Sequence, residues 1–300
     1  MLLLVTLPWY LAYTVLIIMS TSMNNWLSMW TVLEISSWLM FILSLPESFT
    51  YEMVFKMYFM FSMSSIAFVL LWLNSNYQEE WLLCVLAFKI GLPPLHWWIA
   101  WIMKHMQWNI MWWFTTFHKL IPMLISLLII SSSLIIWWAM VSILWGSLMF
   151  WSSPSYYVIF LYSSCIHSGW MWLSMFDFYS FCIYFTTYTS TMFFIFMKIK
   201  STEFWHYDLD LLASLIILLG IPLSMIFFIK LISTGIYFNF STFLMWTMIL
   251  INTITILPYT RMIWNLTQNM PDTNLKYNLN TKLLSYVLIA LQYSIWPLLL

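Results

Sequence analysis

The chain has 300 residues, of which 63% are hydrophobic and 7% are charged, and ten Lys and Arg residues balance ten Asp and Glu residues. A soluble globular domain carries roughly 25% charged residues, so this composition excludes a water-soluble fold and predicts an integral membrane protein. The balanced charge, without any basic cluster, also excludes a nucleic-acid binder.

Long apolar segments follow one another along the chain. A bilayer core about 30 Å thick requires about 20 mostly apolar residues per helix, and these continuous runs lack the alternating pattern of a β-barrel. The predicted fold is therefore an all-α, polytopic membrane protein in which residues 1–300 form a single transmembrane domain. About eleven transmembrane helices are predicted, at roughly residues 2–20, 26–45, 51–73, 81–103, 108–131, 133–151, 156–176, 178–199, 209–237, 240–264 and 282–300.

The charged residues between the segments predict an orientation. Only acidic residues (Glu79, Glu80 and Asp177) follow odd-numbered segments, whereas basic residues follow or end the even-numbered ones. The positive-inside bias then places the N-terminus and the even-numbered loops on the cytoplasmic or matrix side, and the C-terminus on the opposite side. The basic residues are Lys104, Lys198, Lys200, Arg261, Lys276 and Lys282.

Glycine and proline interrupt the fourth and ninth segments at matching positions. The fourth contains Gly91, Pro93 and Pro94, and the ninth contains Gly220 and Pro222. Five segments separate the two interruptions, and an odd number of crossings inverts a repeat relative to the membrane. Broken helices at matching places in inverted halves indicate a transport pathway, although a plain proline kink is the alternative at each site. We therefore predict two inverted five-helix repeats with discontinuous helices, at about 2–131 and 133–264, followed by an extra helix at about 282–300.

Four ionisable side chains lie well inside predicted spans, namely Glu34, Lys89, Lys119 and Lys230. Each costs roughly 2.5–3.5 kcal/mol at a helix centre, so a function is expected. Burial favours the neutral form of both a lysine and a carboxylic acid, and a nearby carboxylate restores the charge of a lysine. This pattern predicts a proton relay. The alternatives are a structural ion pair and, for Lys230 near a segment end, a side chain that reaches the membrane surface.

Three histidines, His96, His118 and His167, also lie within predicted spans. Imidazole titrates near neutral pH, so these residues are candidate members of the relay, with a hydrogen-bonded core histidine as the alternative in each case. Lys119 is predicted to be the central relay residue, because it lies in mid-span beside His118. Glu34 is predicted to bias a nearby lysine, either Lys89 or Lys119.

Several motifs at these residues resemble the antiporter-like subunits of respiratory complex I. Residues 89–98, KIGLPPLHWW, resemble the family signature K-x-G-x-x-P-x-H-x-W. Residues 118–122, HKLIP, are similar to Q-K-L-A-P, and residues 163–170, SSCIHSGW, resemble S-S-I-x-H-x-G-W. Glu34 falls where the family has its membrane glutamate, and residues 259–261 resemble a late Y-x-R element.

The resemblance, which spans about residues 26–264, implies a core membrane-arm subunit of complex I. Such a subunit translocates protons across the mitochondrial inner membrane, coupled to electron transfer from NADH to ubiquinone. Its partners would be other membrane-arm subunits and the lipid bilayer. NADH, FMN, iron–sulfur clusters and ubiquinone would be bound by partner subunits. The sequence agrees, since it contains no G-x-G-x-x-G motif and no cysteine cluster, and no cofactor or metal site is expected in this chain.

The second interruption departs from the family pattern, because residues 220–231 lack the second proline and the second glycine that usually accompany the lysine. Two alternatives therefore stay open. A stand-alone cation/proton antiporter subunit shares the same ancestral fold, although three lysines to one carboxylate favour protons over sodium. A structural membrane subunit that passes no protons is the other alternative, and the retention of all four charges in the spans argues against it.

Overall fold

The structure is a computed structural model, and all the regular secondary structure in the stretches that it describes is helical. These stretches are residues 2–23, 25–44, 51–73, 79–129, 133–152, 156–201, 209–220, 224–238 and 242–268. The helices are α1 (Leu2–Ser22), α2 (Trp26–Ser44), α3 (Tyr51–Leu73), α4 (Glu79–Ile90), α5 (Trp97–Met103), α6 (Trp108–Thr115), α7 (Phe117–Ser126), α8 (Ser133–Ser152), α9 (Tyr156–Ser174), α10 (Phe178–Ser201), α11 (Leu209–Leu219), α12 (Met225–Phe238) and α13 (Thr242–Gln268), with a short 3-10 helix at Leu127–Ile129. The predicted all-α fold is confirmed.

The chain is a multi-pass membrane protein. Five helical stretches within the described residues are long and apolar enough to cross a bilayer. They are Trp26–Ser44, Glu52–Leu73, Trp108–Ile129, Leu134–Ser152 and Phe178–Lys198. Large apolar side chains such as Ile18, Leu70 and Leu148 are exposed on the helix surfaces, where a bilayer would cover them. The predicted total of eleven spans stays a prediction, and its last segment, 282–300, lies outside the described residues.

The contacts divide the chain into two compact units. The first comprises residues 1–146 and 152–172, and the second comprises residues 147–151 and the described residues after 172. In the first unit α7 contacts α1, α2, α4 and α6, and all its residues from His118 to Ser126 are buried. In the second unit α12 contacts α10 and α13, and α11 contacts both as well. The predicted inverted repeats stay a prediction.

Both predicted helix interruptions contain a glycine with a left-handed backbone. Gly91 has a φ of 75° and Gly220 has a φ of 74°, a conformation that side chains with a Cβ disfavour. At Gly91 a Cβ would also lie 1.7 Å from Ile99 Cδ1, so the close approach of α5 excludes a larger residue. Pro93 and Pro94 lie in the non-helical stretch between α4 and α5, whereas Pro222 lies outside the described residues.

A third irregularity lies between α6 and α7, inside a segment that the sequence predicts as one span. Thr116 leaves the helical backbone, with a φ of −114° and a ψ of −83°. Pro122, six residues later, has no N–H for the carbonyl of residue 118, yet it lies inside α7, which is helical from Phe117 to Ser126. The Thr116 hydroxyl donates a hydrogen bond to the Trp112 carbonyl at 2.7 Å, and the same carbonyl accepts the Thr116 N–H at 3.1 Å.

Candidate functional site

Lys89 lies near the C-terminal end of α4 and is only 2% exposed. Its amine donates a hydrogen bond to the carbonyl oxygen of Leu33 in α2, at 3.2 Å. The helix ends one residue later at Ile90, just before Gly91, and the carbonyl of Phe88 in its last turn accepts a hydrogen bond from the Trp98 indole at 3.2 Å. The interruption therefore lets α5 pack over the C-terminal end of α4, next to the buried Lys89.

Glu34 is partly buried and lies next to the carbonyl that Lys89 contacts. It is within electrostatic range of the Lys89 amine, but that amine donates to the Leu33 carbonyl and forms no ion pair with the carboxylate. The Oε2 atom of Glu34 is buried and has no hydrogen-bond partner among the described residues. Glu34 was predicted to bias either Lys89 or Lys119. Lys89 is the one that contacts the residue next to Glu34, through the Leu33 carbonyl.

Lys119 lies in the first turn of α7 and is 4% exposed. Its amine donates to both the carbonyl oxygen and the hydroxyl of Ser164 in α9, at 3.2 Å and 3.1 Å. The hydroxyl of Ser164 itself donates to the Leu161 carbonyl at 2.7 Å, so its oxygen is oriented to accept from the amine. Lys119 thus has neutral oxygen acceptors, as Lys89 has.

The three predicted histidines all lie in the first unit. His118 is buried and precedes Lys119; its Nδ1 atom lies 3.3 Å from the Tyr13 hydroxyl, and its ring stacks on Phe114 at 5.3 Å. His96 is the residue before α5, immediately after the interruption, with its ring 5.5 Å from that of Tyr162. His167 is fully buried in α9, three residues after Ser164.

Lys230 lies in the second unit, in α12, and is 4% exposed. Its amine donates to the side-chain oxygen of Asn252 in α13, at 3.1 Å. A Cβ at Gly220 would lie 3.6 Å from this amine, so the end of α11 borders the same site. The alternative in which Lys230 reaches out to the membrane surface does not fit this buried contact.

Comparison with known proteins tests the predicted resemblance. No protein-family model matches the chain. NADH-ubiquinone oxidoreductase chain 2 from Artemia franciscana is 26% identical over 228 residues, which cover 72% of this chain and 75% of that relative. A chain of respiratory complex I from Thermus thermophilus superimposes with a TM-score of 0.79 at 16% identity, covering 94% of this chain and 75% of that one. The resemblance to the antiporter-like subunits of complex I is confirmed.

The same fold also occurs outside complex I. A chain of the Mrp complex from a Dietzia species superimposes with a TM-score of 0.75 at 14% identity, covering 97% of this chain and 75% of that one. The fold is therefore that of an antiporter-like membrane subunit, and it does not by itself distinguish the complexes in which such subunits occur.

Four contact residues of the lysines and histidines were not predicted, namely Leu33, Ser164, Asn252 and Tyr13. Leu33 contributes only its backbone carbonyl, which no side-chain pattern can reveal. Asn252 did carry a signal, because it is an amide in the apolar sequence MILINTITIL. Tyr13 is one of 17 tyrosines in the chain, and nothing in its neighbourhood distinguishes it.

A metal site finds no support in the part of the chain that the structure describes. No three His, Cys, Asp or Glu side chains there are grouped so that they could hold a metal ion. The chemistry that these residues can perform is the binding and release of protons by buried amines and imidazoles.

Proposed function

We propose that this chain is a core membrane-arm subunit of respiratory complex I that translocates protons across the mitochondrial inner membrane. In this proposal the translocation is coupled to electron transfer from NADH to ubiquinone, which takes place in partner subunits that hold NADH, FMN, iron–sulfur clusters and ubiquinone. The name of the Artemia relative and the complex I fold support this assignment.

The observation that carries the proposal is the kind of acceptor that each buried lysine has. Lys89, Lys119 and Lys230 donate to neutral oxygens, which belong to Leu33, Ser164 and Asn252. An ammonium and a neutral amine both carry N–H donors, so a neutral oxygen can hold the side chain in either form. A permanent carboxylate partner would instead stabilise only the charged form. Lys89 and Lys119 are therefore held where they can lose a proton and regain it without losing their contact, and the Asn252 contact of Lys230 is of the same kind.

Glu34 supplies the switch in this proposal. When its carboxylate is ionised and close to Lys89, the lysine keeps its proton; when the carboxylate is protonated or turned away, burial favours proton release. The buried Oε2 atom of Glu34 makes no hydrogen bond among the described residues, so the carboxylate can move without breaking a bond at that oxygen. The proton then has Lys119 and the histidines of the same unit as acceptors.

The orientation forms part of the proposal. We infer that the N-terminus lies on the matrix side and the C-terminus on the intermembrane-space side, since the basic residues follow the even-numbered segments. The helices would contact lipid and the other membrane-arm subunits.

The second candidate function is that of a stand-alone cation/proton antiporter subunit, which the likeness to the Mrp chain favours. Sodium prefers carboxylate and carbonyl oxygens, whereas the charges that lie well inside the predicted spans are three lysines to one carboxylate. A lysine cannot ligate a cation while it is protonated, so this composition favours protons.

A copurification and transport experiment distinguishes the two functions. The chain is tagged and extracted in mild detergent, and the assembly is reconstituted in sealed liposomes with NADH and ubiquinone. We expect a large assembly that oxidises NADH and pumps protons equally well in Na⁺ and K⁺ buffers. An assembly without NADH oxidation whose proton flux requires Na⁺ would contradict the proposal and support the antiporter.

A further inference from the structure

Cys165 in α9 contacts the helix break between α4 and α5. Its side chain is 1% exposed, and its thiol donates to the carbonyl oxygen of Gly91 at 3.6 Å, a hydrogen-bond distance for the larger sulfur atom. Because α4 ends at Ile90, this carbonyl lies outside the hydrogen-bond ladder of the helix and requires a donor from elsewhere. The thiol supplies that donor from a different helix.

The serine hydroxyls beside Cys165 in α9 behave differently. Ser164 and Ser168 each donate to a carbonyl three residues earlier in their own helix, at 2.7 Å and 2.9 Å. Such bonds to the preceding turn are a common way in which serine is satisfied inside a membrane helix. Cys165 instead donates across to the end of another helix, so its contact is not a local feature of α9.

Ser164, the neighbour of Cys165, accepts the hydrogen bonds of Lys119. The Lys119 amine lies 3.2 Å from the Ser164 carbonyl oxygen and 3.1 Å from its hydroxyl oxygen. Consecutive Cα atoms are only about 3.8 Å apart, so in a helix residue 165 cannot shift without residue 164. The break that follows Lys89 and the turn that carries Lys119 therefore meet α9 at adjacent residues.

We propose that Cys165 is a positioning residue that ties the break between α4 and α5 to the acceptors of Lys119. The proposal rests on the proposed proton-translocating function and deepens it. A shift of the break, two residues after Lys89, moves Cys165 and with it Ser164. The distances from the Ser164 oxygens to the Lys119 amine then change, so a change at the first lysine site reaches the second through α9.

A thiol suits this tie because it is a weak donor, whose hydrogen bond can break and form again during turnover. A serine hydroxyl at position 165 would turn to a carbonyl of its own helix, as the hydroxyls at 164 and 168 do. The family signature S-S-I-x-H-x-G-W has isoleucine at this position, and isoleucine has no donor. The tie is therefore a feature of this chain and not of the signature.

Infrared difference spectroscopy of the assembled complex tests the tie directly. The S–H stretching band lies apart from the other protein bands, and hydrogen bonding lowers its frequency. Subtracting the spectrum of Cys165→Ser from that of wild type isolates this thiol, because all other cysteines of the complex cancel. We expect a hydrogen-bonded band at rest that shifts during turnover with NADH. A free-thiol band at rest, or a band that turnover leaves unchanged as a merely structural contact would, overturns the proposal.

Proton pumping per NADH in sealed liposomes measures the consequence of losing the tie. Cys165→Ala removes the donor, and Cys165→Ser replaces it with a hydroxyl that donates within α9. We expect both variants to assemble and to lower pumping roughly two- to fivefold. Cys182→Ala, at a partly buried cysteine of the second unit, is the matched control and should pump as wild type. Wild-type pumping in the Cys165 variants would overturn the tie, and if Cys165→Ala fails to assemble, Cys165→Ser decides.

A double-mutant cycle tests whether Cys165 acts through the Lys119 site. Lys119→Arg is expected to keep part of the pumping, so a further loss can be measured in its presence. Cys165→Ser should lower pumping no further when Lys119→Arg is present, whereas additive losses would overturn the proposal.

The variant Lys119→Met separates failure of the tie from failure of the proposed function. If Lys119→Met abolishes pumping while the Cys165 variants pump normally, the tie alone is wrong. If Lys119→Met also pumps normally, the proposed relay through the lysines is wrong as well.

Discussion

The lysine sites of the two units differ in what accepts the hydrogen bonds of the amine. In the first unit Lys89 donates to a backbone carbonyl, and Lys119 donates to a carbonyl and a hydroxyl. In the second unit Lys230 donates to the side-chain amide of Asn252. A backbone carbonyl survives any substitution, whereas a side-chain acceptor can be lost by one. The backbone contacts of the first unit are thus secured by the packing of helices, whereas the Asn252 contact of the second depends on an individual residue.

The glycines at the two helix breaks also differ, because Gly91 is packed more tightly than Gly220. Ala at position 91 would require a left-handed backbone and would place its Cβ 1.7 Å from Ile99 Cδ1, whereas a Cβ at position 220 would lie 3.6 Å from the Lys230 amine at ordinary contact distance. We expect Gly91→Ala to abolish assembly. Gly220→Ala should cost about 1–2 kcal/mol, the left-handed penalty alone. Native gel electrophoresis of the assembled complex measures both, and equal losses would contradict the tighter packing of the first break.

Glu34 tests whether the first unit contains the switch. Glu34→Gln keeps the shape of the side chain but removes its charge, so Lys89 loses the group that stabilises its protonated form. We expect normal assembly and a roughly tenfold loss of proton pumping per NADH, because Lys89 then has no charged group to hold its proton. Glu52→Gln is the matched control, since Glu52 is an exposed glutamate paired with Lys56 in α3. Pumping that stays at the wild-type level in Glu34→Gln would remove Glu34 from the mechanism.

Asn252 tests the dependence of the second unit on a side chain. Asn252→Ala removes an acceptor of the Lys230 amine, and we expect proton pumping to fall roughly two- to tenfold. Asn252→Asp keeps an oxygen at the same place but favours the charged lysine, so it should also lower pumping although the contact remains.

Thr253→Val is the control for Asn252, because that threonine is exposed and donates to the Leu250 carbonyl within its own helix. Stopped-flow measurement of liposome acidification gives the rates. If Asn252→Asp pumps as wild type, a fixed charge on Lys230 is sufficient and the second unit contains no relay lysine.

The sequence predicted the helices well because a membrane helix is specified by hydrophobicity summed over about 20 residues. The second predicted segment, 26–45, corresponds to α2 at Trp26–Ser44, and the third predicted segment has the same bounds as α3. Gly91 and Gly220 were also predictable as breaks, because glycine tolerates the left-handed backbone that each requires.

The break at Thr116 and the partners of the lysines were not predictable in the same way. No glycine or proline lies beside Thr116 to mark its break, and Pro122 lies six residues further on, inside α7. The hydrogen-bond partners of the lysines depend on which helices pack against each other, since Leu33 and Ser164 are distant in sequence from the lysines that they contact. The relay residues were selected because they are ionisable side chains within apolar segments, and their roles stay proposals.

The proton count per NADH in Lys119 variants tests the central claim most directly. Lys119→Met removes the titratable amine at similar length, and Lys119→Arg keeps a charge that cannot be released. We expect both variants to assemble, Met to lower coupled pumping at least roughly tenfold, and Arg to restore it only in part. Lys104→Met, at an exposed lysine after α5, should pump as wild type. Wild-type pumping with Arg at position 119 would contradict the account, because Lys119 would then be a fixed structural charge.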